Sequence, residues 1–365
     1  MLIETMPDVL TWRAGSDVML RVYRGYVDLL SDRLGALLCD LRATDPRLCD
    51  GLDEALRGAS DLAFSRVLTA PETSNRLIWQ RGNAAERGQF IFEALRAERA
   101  REGEPARFNA ETWTALGDIR FFPDGLSFPQ PRLPWEMPLD FASPYADAVD
   151  LGNGDPTAPR GTFTSAETER VLALLHEACD CIGRVSALIL DFTVKFNKVL
   201  VLQKDLVEPG FTSGSTGQFV GRSFLVNPHL AAVHPVLIAE GIVHEAIHSL
   251  LYMQERQKSW VKSDDLYHPK QALVSPWSGS SLALRPFMQA CFVWYGLLNF
   301  WCAALIAGVF DQQRVRARIS VCLKGFLGRP LVGYLDPWRE GISEDLIETI
   351  AVLQDNVTRA KAETG

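Results

Sequence analysis

The chain has 365 residues, 47% of them hydrophobic and 22% charged, an ordinary globular composition with ample apolar material for a core. A net charge of −8 and a pI near 5.4 exclude the basic footprint of a nucleic-acid binder. Seven cysteines, mostly set within apolar runs, suit a reducing compartment better than a disulfide framework. The opening Met1–Asp8 has neither the basic nor the apolar region of a signal peptide, so a cytoplasmic protein is expected.

Taken in order, residues 1–105 read as helical. Val18–Leu38 and Glu54–Val67 carry apolar residues at helical spacing, and Ala84–Arg101 is rich in Ala, Glu and Arg. Residues 106–160 change character: recurrent prolines from Pro123 to Pro159 break any long element, and Trp113, Phe121, Phe122, Phe128 and Trp135 lie around and between them. That is an ordered, aromatic-pinned connector rather than a disordered linker. Thr164-Ser-Ala-Glu167 then fits a capping box opening a helix that continues through Leu172–Leu190. Phe196–Leu202 and Gln218–Val226 are strand-like, with Gly214-Ser-Thr-Gly217 as the turn of a hairpin. Further helices are expected over Leu284–Phe310, Gln312–Phe326 and Ser343–Arg359. Pro286 to Phe310 holds no charged residue across 25 positions, long enough to cross a bilayer. Its Gln289, Trp294, Tyr295, Asn299 and Trp301, and flanks without topogenic bias, read instead as a core helix, and no membrane partner is expected.

The stretch that names a chemistry is Gly241-Ile-Val-His-Glu-Ala-Ile-His-Ser-Leu-Leu-Tyr252, an HExxH sequence. On an α-helix, His244 and His248 lie about 40° apart around the axis and roughly 6 Å along it, so both imidazoles can reach one metal ion. Glu245 projects about 100° away, beside a metal-bound water. Val236, Leu237, Ile238, Ile242, Val243, Ile247, Leu250 and Leu251 make the helix apolar almost all round, hence buried, and Pro235 suits its first turn. Two histidines and a glutamate inside such a helix need partners. The fold expected is α+β and mostly helical: a buried HExxH helix packed against further core helices and a small antiparallel sheet. Its regions are a helical 1–105, the connector 106–160, and a metal-binding catalytic domain over 161–365.

The third ligand separates the possible mechanisms. The metzincin pattern needs Gly and His where this chain has Leu251 and Gln254, which excludes that class. A gluzincin needs a glutamate on a following helix, yet no acidic residue occurs between Leu266 and Phe310, and Glu255 lies roughly 10 Å further along the metal helix. His268 is the nearest candidate, ahead of Asp264 and Asp265; it is equally readable as an exposed loop histidine before Pro269. Arg222, on one face of its strand with Val220, Phe224 and Val226, is unusual unless it is paired or reaches a ligand carboxylate.

His244-Glu-Ala-Ile-His-Ser-Leu-Leu-Tyr252, followed by Ser275-Pro-Trp-Ser-Gly279 and Trp294-Tyr-Gly-Leu-Leu-Asn-Phe-Trp301, resembles the HExxH-type peptide-modifying proteins of ribosomal peptide pathways. The resemblance covers roughly residues 210–310. It implies iron(II)- and 2-oxoglutarate-dependent hydroxylation of the β-carbon of a peptide side chain, with iron on His244, His248 and a third ligand. It also implies a guanidinium for the co-substrate carboxylate. Members of that family carry an arginine soon after the Pro-Trp pair, where this chain has Ser278-Gly-Ser-Ser-Leu282; Arg285 and Arg222 are therefore the candidates, with Arg318 in reserve. Glu245 would then order a water rather than act as a base, and Trp277, Trp294 and Tyr295 would keep the site dry. The partner implied is a peptide, with or without a leader segment. The alternative is a zinc metallopeptidase in which Glu245 is the general base.

Overall fold

A computed structural model of the chain describes residues 3–13, 16–146, 160–207, 210–267 and 272–364. In order, the elements are α1 (Met6–Val9), α2 (Ser16–Thr44), α3 (Pro46–Gly58), α4 (Asp61–Leu68), α5 (Pro71–Ile78) and α6 (Ala84–Arg101). The short strands β1 (Thr112–Trp113), β2 (Ile119–Phe121), β3 (Ser127–Pro129), β4 (Leu139–Asp140) and β5 (Arg160–Gly161) follow. Next come α7 (Ser165–Val185), α8 (Ala187–Phe196), β6 (Val199–Asp205), β7 (Thr212–Ser215), β8 (Arg222–Val226) and α9 (Pro235–Gln257). The chain closes with β9 (Leu273–Val274), β10 (Ser281–Leu282), α10 (Leu284–Ala307), α11 (Gln312–Phe326) and α12 (Glu344–Thr364). The fold is mostly helical α+β, as expected.

Contacts divide the chain into two compact units. The first comprises Met1–Tyr23, Glu177–Thr193 and Pro235–Gly365; the second comprises Arg24–His176 and Val194–His234. Residues 161–176 and 194–234, grouped by sequence with the HExxH helix, thus make their contacts within the second unit.

In the second unit the helix expected over Glu54–Val67 is two. Ala59 and Ser60 are extended, and the Ser60 hydroxyl accepts the Ala63 N–H as the cap of α4. Asn83 and Glu86 form a reciprocal capping box on α6. Asp118, fully buried, takes Arg101, Arg132 and the Thr114 hydroxyl, tying α6 to the antiparallel β1-β2-β3 sheet. The larger sheet has the order β4-β6-β8-β7, with β5 on the free part of β6. Here the expected hairpin is corrected. β6 and β8 run parallel, and β7 is the antiparallel neighbour of β8. Gly214 lies inside β7, and the chain reverses over 216–221, where Gly221 has φ 91°. The continuous apolar run Val199–Leu202, buried on both faces, is what a strand with parallel neighbours requires.

The first unit contains the HExxH helix. α9 packs on α10, and α10 in turn packs on α11 and α12. Gly296 of α10 leaves room for the side chains that pack on it: a Cβ there would stand 2.7 Å from Ile247 Cδ1 of α9 and 3.2 Å from Leu10 Cδ2. The Gly296 carbonyl accepts the Trp12 indole N–H at 2.9 Å, pinning the N-terminal segment to the same spot. Gly308, left-handed at φ 65°, ends α10, and the Asp311 carboxylate caps α11. Among the described residues two helices are long and apolar enough to cross a membrane, Leu284–Ala307 and also Pro235–Gln257, the second of which was not singled out from the sequence. Their most apolar windows are 56% and 78% buried within the protein.

Candidate metal centre

α9 forms because its apolar residues leave no face for solvent, and Pro235 starts it where a missing N–H costs nothing. Helical spacing then lines up Glu240, His244, His248 and Tyr252 at successive i+4 steps. The two Nε2 atoms converge to 3.2 Å, with ring centroids 4.9 Å apart. Two nitrogens on one cation, each at the roughly 2.0–2.1 Å of a metal–imidazole bond, stand about 2.9–3.4 Å apart at octahedral to tetrahedral angles. The pair therefore has the bite a metal needs. The same separation suits an imidazole–imidazole hydrogen bond when no cation intervenes.

Both rings are held neutral. Burial pushes His244 from 6.5 down to about 4, with the positive Arg318 adding to it. Burial does the same for His248, helped by His244 and opposed by Glu245 and Gln289. A neutral imidazole is the form that ligates. His244 keeps 27% of its side chain exposed, so the centre has an opening.

The surroundings are specific. His248 Nδ1 lies 2.9 Å from Oε1 of Gln289 on α10, and its ring stacks on Tyr252 at 5.8 Å. Gln289 is 2% exposed, and among the described residues its Nε2 has no hydrogen-bond partner, which costs about 1–3 kcal/mol. Glu245 is buried, with Oε1 4.0 Å from His244 Nε2. Trp294 meets His244 edge-on at 6.4 Å, and Trp277 stacks on Trp294 at 6.0 Å while donating its indole N–H to the Cys322 carbonyl. Tyr295, expected among these aromatics, is turned elsewhere: its ring packs on Phe326, and its hydroxyl receives Asn356.

Two arginine–glutamate pairs bracket the histidines. Arg318 grips Glu240 through Nε at 2.6 Å and through Nη2, and the same carboxylate accepts the Trp301 indole N–H. Arg285 bonds Glu255 Oε2 through Nε at 2.9 Å and Nη2 at 2.7 Å, and lies over the Tyr252 ring. Arg285, a candidate for the co-substrate carboxylate, is thus beside the histidine face with its charge already compensated. Glu255 is engaged with it.

Arg222 belongs to the second unit. It is fully buried, and its Nη1 donates to Glu72 Oε1 at 2.5 Å and to the Tyr145 carbonyl at 2.8 Å, while Nε and Nη2 find no acceptor. The pairing that would account for a buried arginine is present. His268 lies outside the described residues. Asp265 is exposed, on a 3-10 turn over Asp264–Tyr267 that contacts α10. Among the described residues no third His, Cys, Asp or Glu joins the pair.

Sequence reasoning missed Gln289, Tyr252 and Glu240 as members of the site. The last two were available from the i+4 steps on either side of the motif; Gln289 was visible as a lone amide in a charge-free helix. No protein-family model matches this chain, and no curated protein matches it.

Proposed function

We propose that the chain is a metal-dependent peptide-modifying enzyme that, with iron(II) and 2-oxoglutarate, hydroxylates the β-carbon of a side chain in a ribosomally made peptide. The observation that carries the reading is the convergence of two neutral imidazole nitrogens at 3.2 Å on a buried helix. The resemblance of the three motif blocks selects this chemistry among those a histidine pair can serve. Bound iron(II) would let dioxygen act as the four-electron oxidant: two electrons would come from 2-oxoglutarate, which becomes succinate and carbon dioxide and takes one oxygen atom, and two from the C–H bond, which takes the other as a hydroxyl.

His244 and His248 hold the cation, and His268 is the proposed third ligand. Trp294, edge-on to His244, and Trp277 stacked behind it form the apolar wall beside the cation position. A co-substrate carboxylate at Arg285 would share a guanidinium already bonded to Glu255, so Arg285 orients the carboxylate more than it neutralises it. The peptide, with or without a leader segment, is the proposed partner, and the setting is cytoplasmic.

One observation favours a second reading, a zinc peptidase. The Glu245 carboxylate stands 4.0 Å from His244 Nε2, where a base acting on metal-bound water belongs. The test is mass spectrometry of a peptide encoded beside the gene. It is incubated with protein loaded anaerobically with iron(II), then given 2-oxoglutarate and air. One added oxygen atom with stoichiometric succinate is expected, and Glu245→Gln should keep most of it. Chain scission with zinc alone, abolished by Glu245→Gln, sinks the oxygenase reading.

A further inference from the structure

We infer that Gln289 is the positioning residue of the centre: its side-chain carbonyl fixes His248 with the proton on Nδ1, so that the Nε2 lone pair faces the cation position. The inference rests on the proposed metal centre and adds the group that orients it. Gln289 lies on α10, in the stretch from Pro286 to Phe310 that has no charged residue, between the buried Phe287, Met288, Cys291 and Phe292. A leucine or methionine would fill that place without stranding an amide. Gln289 strands one, since Nε2 has no partner, and packing therefore does not explain the residue.

What Gln289 does have is the 2.9 Å approach of Oε1 to His248 Nδ1. A carbonyl oxygen only accepts, so Nδ1 is the donor, and a neutral ring then carries its lone pair on Nε2. Tyr252, stacked on the same imidazole, limits rotation out of this pose. The opposite amide orientation has an equally definite consequence. Nε2 of Gln289 would donate to Nδ1, and the imidazole proton would move to the far nitrogen. There it would point at His244 Nε2 across 3.2 Å and close the pair on itself. Which end of one amide faces His248 decides whether that ring offers a lone pair or a proton at Nε2. A neutral amide also leaves Nε2 less basic than a carboxylate partner would, so the cation is held without the extra grip of a carboxylate–histidine–metal triad.

The experiment has two arms. Long-range proton–nitrogen NMR on ¹⁵N-histidine-labelled, metal-free protein at pH 8, with His248→Gln to assign the ring, is expected to show the proton on Nδ1. Zinc titration of Gln289→Leu is expected to show affinity lowered about 10- to 100-fold. Gln289→Glu should restore or exceed wild-type affinity, and circular dichroism checks that both variants fold. A His248 proton on Nε2 in the wild type overturns the inference. So does Gln289→Leu binding zinc as tightly as the wild type, with the proposed function untouched. A folded wild type that takes up neither zinc nor iron(II) overturns the proposed function itself and Gln289's role with it.

Discussion

Arg222 in the second unit, fully buried, and the His244–His248 pair in the first, partly buried, are polar groups among apolar neighbours, and they resolve that situation in opposite ways. Arg222 keeps its charge and meets a carboxylate, Glu72, at 2.5 Å. The histidines give up their charge, their pKa values falling to about 4, and turn their Nε2 atoms toward each other. A buried cation that has found its anion needs no ligand to balance its charge. Two neutral rings sharing one focus, beside an opening, either hydrogen-bond to each other or take a cation, and the second is what we propose. The contrast is between a charge that is paired and a pair of rings that has room for one.

The comparison can be broken at either side. The largest effect belongs to the histidines: His244→Ala or His248→Ala should abolish zinc or iron(II) uptake, measured by metal analysis after gel filtration, while the protein stays folded. Full metal occupancy in either variant would remove the site. Glu72→Ala should do the reverse. It leaves a buried guanidinium uncompensated and should cost about 3–5 kcal/mol in a urea unfolding series, with metal uptake retained in the fraction that folds. If Glu72→Ala were as stable as the wild type, the account of Arg222 as a closed pair would fail.

Acid sharpens the contrast with a smaller, graded effect. For each histidine the folded value of about 4 lies below the ordinary 6.5. As pH falls from 6.5 to 4 the unfolded chain takes up protons that the folded chain does not, so their contribution lowers stability across that window and is flat above it. The difference in unfolding midpoint between metal-free wild type and a His244→Gln/His248→Gln variant isolates that slope from other groups. A difference independent of pH would show that the rings are not held neutral. The smallest effect is a control at a residue that belongs to neither cluster: Asn83→Ala removes one half of the α6 capping box and should cost about 1 kcal/mol with metal uptake unchanged.

Much of the fold was legible because it is written in short-range pattern. α9 begins at Pro235, α10 and α11 begin at Leu284 and Gln312, and the Thr164–Glu167 box is present in the structure, where the Thr164 N–H donates to Glu167 at 2.8 Å. The break at Ser60 was hidden, because the apolar spacing of Glu54–Val67 continues across it while only a serine's capping bond marks the join. Pairing of strands was hidden for a different reason. β6 and β8 each look like half of a hairpin, and nothing local records that a third strand, β7, takes the antiparallel place. At the site, the two histidines and the partners at i+4 follow from helix geometry. Gln289 and Arg318 come from other helices, and such neighbours are set by packing that sequence spacing does not encode.

Gly296 gives this centre an unusual dependence. It stands two turns along α10 from Gln289, on the side where Ile247 of α9 comes closest. A single methyl inserted there would press on the tip of Ile247, the residue directly before His248. Crowding at that spot reaches the ligand helix without touching any atom of the centre.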